Sequence, residues 1–507
     1  MNTYISKVKL LVLATIILAD FSGCTKLDEE TFGSLSPDNY YRTEKEGLSS
    51  VVGVYSLLSQ VVHIGDPWRI AEFGTDEFVV PGRASGGWFD QNQIDIIQHK
   101  AKPDNGRAAN AWVNIFQEIG TSNAVLQSLE TSPNSANLKA LIAETRALRA
   151  YGYFYAMDLW GNVPIVTTAR IDPSNLPKTN TRKEVFDFVT TEMLKAIEDL
   201  PSTKDVNKSA YYPRFTKEAI YAALATVYLN GLVYTGTAYW DKTIEMCDKV
   251  INSQKYSLEP SVADCFKSTN EDKSTELIST FSIDATKNAG GNQFILYTQH
   301  ALDQKKYSLP FIPADGYSTT QEALDRYEDK DARKGLIEFG PQTYLDGTPL
   351  LLPNGQQLVL VPVKDLVGAE DNEGYKVLKY TPVGTKWSGF NGDNDLVLIR
   401  YSDILLMKAE AQFRTGAVSA ALGLINQVRT RSNATALQSL TLKDIENERA
   451  REFIWEGHRR RDMIRFGTYF TGTWKFKIAE TPDWRGIYPI PSQQINANPN
   501  LKQNPNY

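Results

Sequence analysis

Between Asp76 and Asn92 the chain runs Asp76-Glu77-Phe78-Val79-Val80-Pro81-Gly82-Arg83-Ala84-Ser85-Gly86-Gly87-Trp88-Phe89-Asp90-Gln91-Asn92, placing two aromatics behind a Gly-rich stretch and among polar side chains. That mixture suits a sugar: a pyranose ring packs its flat C–H face on an aromatic ring, while its hydroxyls need fixed donors and acceptors. Trp88 and Phe89 are the candidate platform, with Arg83, Asp90 and Asn92 as polar contacts. The same pattern also admits a packing role, in which the two rings fold beneath the loop as a small satellite core. Further candidates are Tyr297, Tyr307, Trp387 and Phe390. The last two stand in Lys386-Trp387-Ser388-Gly389-Phe390-Asn391-Gly392-Asp393, which is too polar and Gly-rich for a helix stripe. Trp112, Trp160, Trp240 and Trp455 lie in or beside helical patterns and are expected in the core.

Catalytic signatures are hard to find. The four His, at 63, 99, 300 and 458, form no HExxH, and no Cys/His spacing suits zinc. There is no G-x-S-x-G elbow and no GxxxxGK[ST] phosphate loop. Asp76 and Glu77 could in principle serve a glycosidase, which needs two acids flanking the scissile bond. Adjacent residues seldom face one ligand, however, and with 60 acids such pairs arise by chance. No catalytic residue, cofactor or metal is expected. Arg449, Arg451, Arg459, Arg460, Arg461 and Arg465 crowd the stretch from Glu446 to Arg465, but Glu448, Glu452 and Glu456 lie three or four residues from several of them. That spacing predicts ion pairs along one solvated scaffold helix. A net charge of −6 argues against a nucleic-acid partner, which needs clustered cations to neutralise phosphates.

The elements that must position these residues are mainly helical. Helical periodicity dominates 36–250 and 398–467 and fades over 255–395. From Leu138 to Trp160, Leu141, Leu148, Tyr151, Tyr155 and Leu159 form one apolar stripe that Gly161 and Pro164 terminate. Thr43 and Thr181 each stand three residues before a Glu, as a capping box requires. Helices pair with small residues on facing sides: Phe215 to Tyr234 with Asp241 to Ile251, and Arg400 to Thr415 with Ala417 to Thr430. Such units are like degenerate tetratricopeptide repeats, which stack to share one core, so a single large domain over 24–507 is expected despite the 507-residue length. The Pro-broken middle carries short β-prone runs, Gln357 to Val363 and Tyr375 to Tyr380, and is the expected ligand-binding insertion.

At the start, Lys7 and Lys9 precede an apolar run, Leu10 to Ala19, too short to span a bilayer. It closes on Leu18-Ala19-Asp20-Phe21-Ser22-Gly23-Cys24, which reads as a lipoprotein site: residues 1–23 are removed and Cys24 is acylated, tethering a soluble protein to a membrane. An ordinary signal peptide ahead of an internal Cys is the alternative. Asp28-Glu29-Glu30 resembles the signal that sends lipoproteins of some Gram-negative bacteria to the cell surface. No second apolar segment is expected to approach membrane length. Cys247 and Cys265 could pair in an oxidising compartment or stay as buried thiols.

Three further segments carry a specific resemblance. Arg146 to Pro164 (RALRAYGYFYAMDLWGNVP), Leu398 to Ala411 (LIRYSDILLMKAEA) and Glu448 to Arg459 (ERAREFIWEGHR) resemble helices of the SusD/RagB family, and the ending from Tyr488-Pro489-Ile490-Pro491 to Tyr507 is similar to that family's C-terminus. The resemblance runs from Cys24 to the last residue. It implies a non-catalytic surface lipoprotein of the outer membrane, built from tetratricopeptide-like helices with an irregular ligand-binding region. Such a receptor captures oligosaccharides, or in some members peptides, and hands them to a SusC-like TonB-dependent transporter as a hinged lid. In many members an aromatic after the first long helix helps form the platform, which by resemblance is Trp88. A surface glycosidase is the reading from a different class.

Overall fold

Thr43 accepts a hydrogen bond from the Glu46 amide while the Glu46 carboxylate accepts one from the Thr43 amide, so the expected capping box opens helix α1, Glu44–Val62. The structure, a computed structural model, describes residues 43–268, 273–284 and 291–507. Cys24 and the signal segment lie outside the described residues. Helices of seven residues or more then follow in order: α2 Asp66–Glu72, α3 Gln91–Ile97, α4 Gly106–Thr131, α5 Lys139–Trp160, α6 Arg182–Asp199, α7 Lys217–Leu229, α8 Trp240–Ile251, α9 Tyr401–Arg414, α10 Val418–Arg431, α11 Leu442–Glu452 and α12 Arg459–Phe466. From α4 to α10 each packs on its predecessor, and α1 leans on α4 and α5, which is the mainly α, repeat-like stack expected. The capping box at Thr181 likewise opens α6.

Helix α5 is the centre of the stack. Leu141, Leu148, Tyr151 and Leu159 are buried and Tyr155 is half-buried, as the stripe predicts. Gly152 lets α4 approach: a Cβ there would fall 2.0 Å from Glu118 Oε2 and 2.9 Å from Ile119. The end of α5 is closed from far along the chain. The Tyr488 amide donates to Leu159 O at 2.7 Å, and Asn504 Nδ2 donates to Trp160 O and Tyr488 O at 2.7 and 2.8 Å.

Two expectations need correction. Residues 44–72 contain an 18-residue window of mean hydropathy 1.4, so a second apolar segment does reach membrane length. Its apolar side, Val51, Val54, Leu58 and Val61, is buried against α4 and α5, which explains the composition without a bilayer. Nor is Glu446 to Arg465 one solvated helix. It breaks between α11 and α12, where Trp455 and Gly457 have φ of +60° and +77°. Its arginines are largely buried, and their acids come both from distant segments (Arg459 on Asp76, Arg465 on Glu410) and from within the stretch (Arg449 and Arg465 on Asp462, Arg451 on Glu448). The same interior holds Arg400 among Glu276, Glu452 and Glu456, and Arg333 among Asp331, Glu448 and Glu452. Buried charge is tolerated there because most of these guanidinium groups meet carboxylates, while Arg460 is held by the Gly486 carbonyl and the Tyr469 and Tyr488 rings.

The middle of the chain is a set of short two-stranded pieces. Leu277–Phe281 pairs antiparallel with Leu396–Arg400, with Leu396 opposite Phe281, and Gly82–Arg83 pairs parallel with Val367–Ala369. The two β-prone runs supply Val359–Leu360, paired with Gly340–Pro341, and Lys376–Val377, paired with Ile337–Glu338. Cys247 and Cys265 are buried free thiols.

Candidate functional site

Gly86 and Gly87 have φ of +104° and +86°, and Trp88 follows at +60°, a left-handed conformation that costs a bulky residue free energy unless contacts hold it. Those contacts are present. Trp88 Nε1–H donates to Ala314 O at 2.6 Å, and the ring lies edge-on to Tyr297 (centroids 5.7 Å) and tilted on Tyr317 (5.5 Å). Gly316 makes this approach possible, because a Cβ there would fall 2.3 Å from the indole. Trp88 is left half-buried and Phe89 is 60% exposed beside it. Trp88 is thus packed on the protein by one edge, as the satellite-core alternative has it, while Phe89 faces solvent.

Tyr297 sits on the short helix Phe294–Thr298, half-buried, stacked at 5.4 Å on the buried ring of Tyr317. Arg69 of α2 lies 5.7 Å over the Tyr297 ring and donates from Nε to the Tyr317 hydroxyl oxygen at 2.7 Å. Burial pushes the Tyr317 phenol up to about 12, so it stays protonated. A second aromatic group stands on the hairpin Trp387–Ser388/Asn391–Gly392, where Trp387 meets Phe311 edge-on at 5.1 Å and Phe390 is 45% exposed. Asn292 and Gly392 exchange backbone hydrogen bonds of 3.0 and 2.9 Å, and Gln293 Nε2 donates to Asn391 at 2.9 Å. Those bonds fix the hairpin to the segment that leads directly into the Tyr297 helix.

The polar candidates are placed differently. Asp90 caps α3 by accepting from the Asn92 amide at 2.9 Å and pairs with Arg107 at 2.9 Å. Although burial raises its carboxyl, the hydrogen bonds from Asn92 and Arg107 outweigh this and hold it below its ordinary value. Asn92 accepts from the Gly106 amide at 2.9 Å, tying α3 to the start of α4. Both are half-buried beside the aromatic loop. Arg83 is buried, and its guanidinium is spent on the carbonyls of Asp315, Glu370 and Glu373 and the Asp315 carboxylate. It clips the Trp88 loop to two other loops and offers no outward donor. The Tyr307 hydroxyl donates to Glu338 at 2.8 Å, which directs it to the protein. The structure therefore groups Trp88, Phe89 and Tyr297, with Trp387 and Phe390 on an attached hairpin, and turns Arg83 and Tyr307 inward.

Sequence reasoning passed over Arg69, Phe311, Gly316 and Tyr317. A signal for three of them existed in Pro310-Phe311-Ile312-Pro313-Ala314-Asp315-Gly316-Tyr317, where aromatics alternate with residues that break helices. The carboxylate pair does not reach this surface. Asp76 is bound by Arg326 and Arg459, and Glu77, fully buried beneath Trp455, has its carboxyl raised to about 7 by burial. As interior groups they cannot flank a glycosidic bond.

Residues 361–507 match the SusD family, and residues 38–229 match a family described as starch-binding and associating with outer membrane. The starch-binding protein SusD of Bacteroides thetaiotaomicron is similar at 27% identity over 497 aligned residues, with 83% of each chain covered. Surface glycan-binding protein A from the same species, solved in complex with laminarihexaose, superposes with a TM-score of 0.74 at 22% identity, over 91% of this chain and 99% of that one. A SusD-like carbohydrate binding protein from Bacteroides fragilis gives 0.76 at 18% identity, over 92% and 100%. The two structures establish the fold. Matched segments in both helical blocks and relatives that cover most of the chain make this protein similar to the SusD family along most of its length.

Proposed function

We propose that the protein is a non-catalytic receptor that binds oligosaccharides or polysaccharides at the cell surface and delivers them to a SusC-like TonB-dependent transporter. The observation that carries this reading is Trp88: an aromatic held in a left-handed conformation by an indole hydrogen bond, beside the exposed Phe89 and the half-buried Tyr297. Preorganised rings bind flat sugar faces without paying to order themselves. Relatives named for starch and laminarihexaose lend support by analogy. Outer-membrane association accords with the description of the family matched by residues 38–229, and Cys24 is the proposed lipid anchor.

The test is isothermal titration of a soluble form lacking residues 1–24 against a panel of plant and host polysaccharides, with reducing ends assayed in parallel. Binding without hydrolysis, weakened about tenfold or more by Trp88→Ala, is the expected result. Peptide binding in place of glycan binding, or release of reducing ends, refutes it. Delivery is tested separately, by co-purification of the lipoprotein with a TonB-dependent transporter from outer membranes.

A further inference from the structure

A cleft of about 510 Å³ opens where residues 98–100, 364–366 and 475–485 meet. Five cationic side chains line it: Lys100, Lys364, Lys475, Lys477 and Arg485. Asp365 and Glu480 are the acids of the lining, so the cleft is electropositive in a chain whose net charge is −6.

The cations are incompletely matched within the protein. Lys364 is paired to Glu373 at 3.0 Å. Lys477 is only 3% exposed, yet its ammonium is held by the carbonyls of Gly472 and Phe470 and by the Trp474 ring, not by a carboxylate. The Glu480 carboxylate acts on it from a distance, but a charge bonded only to dipoles gains when an anion comes within reach. Arg485 gives one N–H to Ala101 O at 3.2 Å and stacks on Trp484 at 4.3 Å. Lys100 and Lys475 are exposed; the first donates to the Gln98 amide oxygen at 2.9 Å, and the second stands 5.6 Å over Phe476 and shares with Lys364 the field of Glu373. Ile478, 87% exposed, adds an apolar lip that a sugar ring could cover.

The cleft adjoins the aromatic platform through shared backbone. The Gly82 amide donates to Leu366 O at 2.9 Å and the Ala84 amide to Ala369 O at 2.8 Å, so one strand walls the cleft and anchors the Trp88 loop. Residues 98–100 continue directly from α3, the helix Asp90 caps. We propose that this cleft is a second glycan subsite that takes an anionic substituent, a uronate carboxylate or a sulfate ester, on a chain whose neutral rings pack on the Trp88 platform. The inference rests on the glycan-receptor function proposed above and assigns its substrate class as acidic glycans.

The experiment is titration of the full-length protein in detergent with tetragalacturonate and with a sulfated galactan tetrasaccharide, each beside its carboxyl-reduced or desulfated counterpart. Wild type, the Lys100→Ala/Lys475→Ala double variant and Trp88→Ala are compared at about 50 mM and about 500 mM salt. The expected result is that one charged probe binds about tenfold tighter than its neutral counterpart, and that high salt or the double variant abolishes the advantage. Which probe shows it separates carboxylate from sulfate. Equal binding of charged and neutral probes in wild type, or an advantage that survives the double variant, overturns the subsite. If Trp88→Ala leaves the neutral counterpart's affinity intact, the platform reading fails instead; if no probe binds, both fail.

Discussion

Gly316→Ala isolates the interaction that poises Trp88. The new methyl would fall 2.3 Å from indole Cε2 and Cζ2, and the backbone of Gly316 has an ordinary φ, so the clash with the ring is the source of the effect. To relieve it the indole must leave Ala314 O and open its contacts with Tyr297 and Tyr317. One neutral hydrogen bond contributes about 1 kcal/mol and an aromatic contact about 0.5 to 1.5, so the substitution should cost about 2 kcal/mol, in the range of other overpacked sites. An unfolding entropy of about 1 kcal/mol/K for a body of roughly 470 residues makes this about 2 °C in Tm. The decisive assay is a double-mutant cycle by thermal and urea unfolding, read beside glycan affinity. With Trp88 already Ala, the same Gly316→Ala change should cost less than about 0.5 kcal/mol, because the methyl then enters vacated space. Equal costs in both backgrounds would show that the indole does not rest on Gly316 and would refute the account of how the platform is held.

Two further outcomes follow from the interior charges. Glu118 is fully buried with Oε2 unpartnered, and burial raises its carboxyl from 4.5 to about 8 despite the Ser122 hydrogen bond and Arg149. A raised folded-state value means the stabilising contribution is complete below about pH 4.5 and is lost as pH rises through about 8; Glu118→Gln should therefore be the more stable protein at pH 8, by about 4 kcal/mol, with superimposable stability curves of the two proteins as the refuting result. Arg400→Met would leave the Glu276, Glu452 and Glu456 carboxylates short of their shared cation, and a loss of about 3 to 5 kcal/mol is expected in urea unfolding, with Arg400→Lys intermediate; a loss under about 1 kcal/mol would show the cluster to be electrostatically slack.

Local signals were legible where local physics decides. Thr43 and Thr181 announce their helices because a capping box is complete within four residues, and the α5 stripe is visible because its period is the helix's own. The Arg-rich stretch from Glu446 to Arg465 misled for the opposite reason. Its acids at three- and four-residue spacing suggest a self-contained solvated helix, and Arg451 does pair with Glu448, but the stretch breaks in two and is buried, and Asp76 and Glu410, the first nearly four hundred positions away, hold Arg459 and Arg465. At the candidate site, the Gly-rich polar setting of Trp88 and Phe89 marks a loop that leaves them at the surface, one half-buried and one exposed. Whether Arg83 faces a ligand was not legible, because that depends on carbonyls at 315, 370 and 373 which no local pattern reveals.

The clasp of Tyr488 and Asn504 on the end of α5 also bears on which parts of the chain the fold depends on. The carbonyls of Leu159 and Trp160, at the end of α5, find their partners only in residues 488–504. The buried end of a central helix is thereby made to depend on a segment more than three hundred positions away: removing residues 488–504 strands the Leu159 and Trp160 carbonyls without partners inside the domain, at a cost an order of magnitude larger than trimming a free tail.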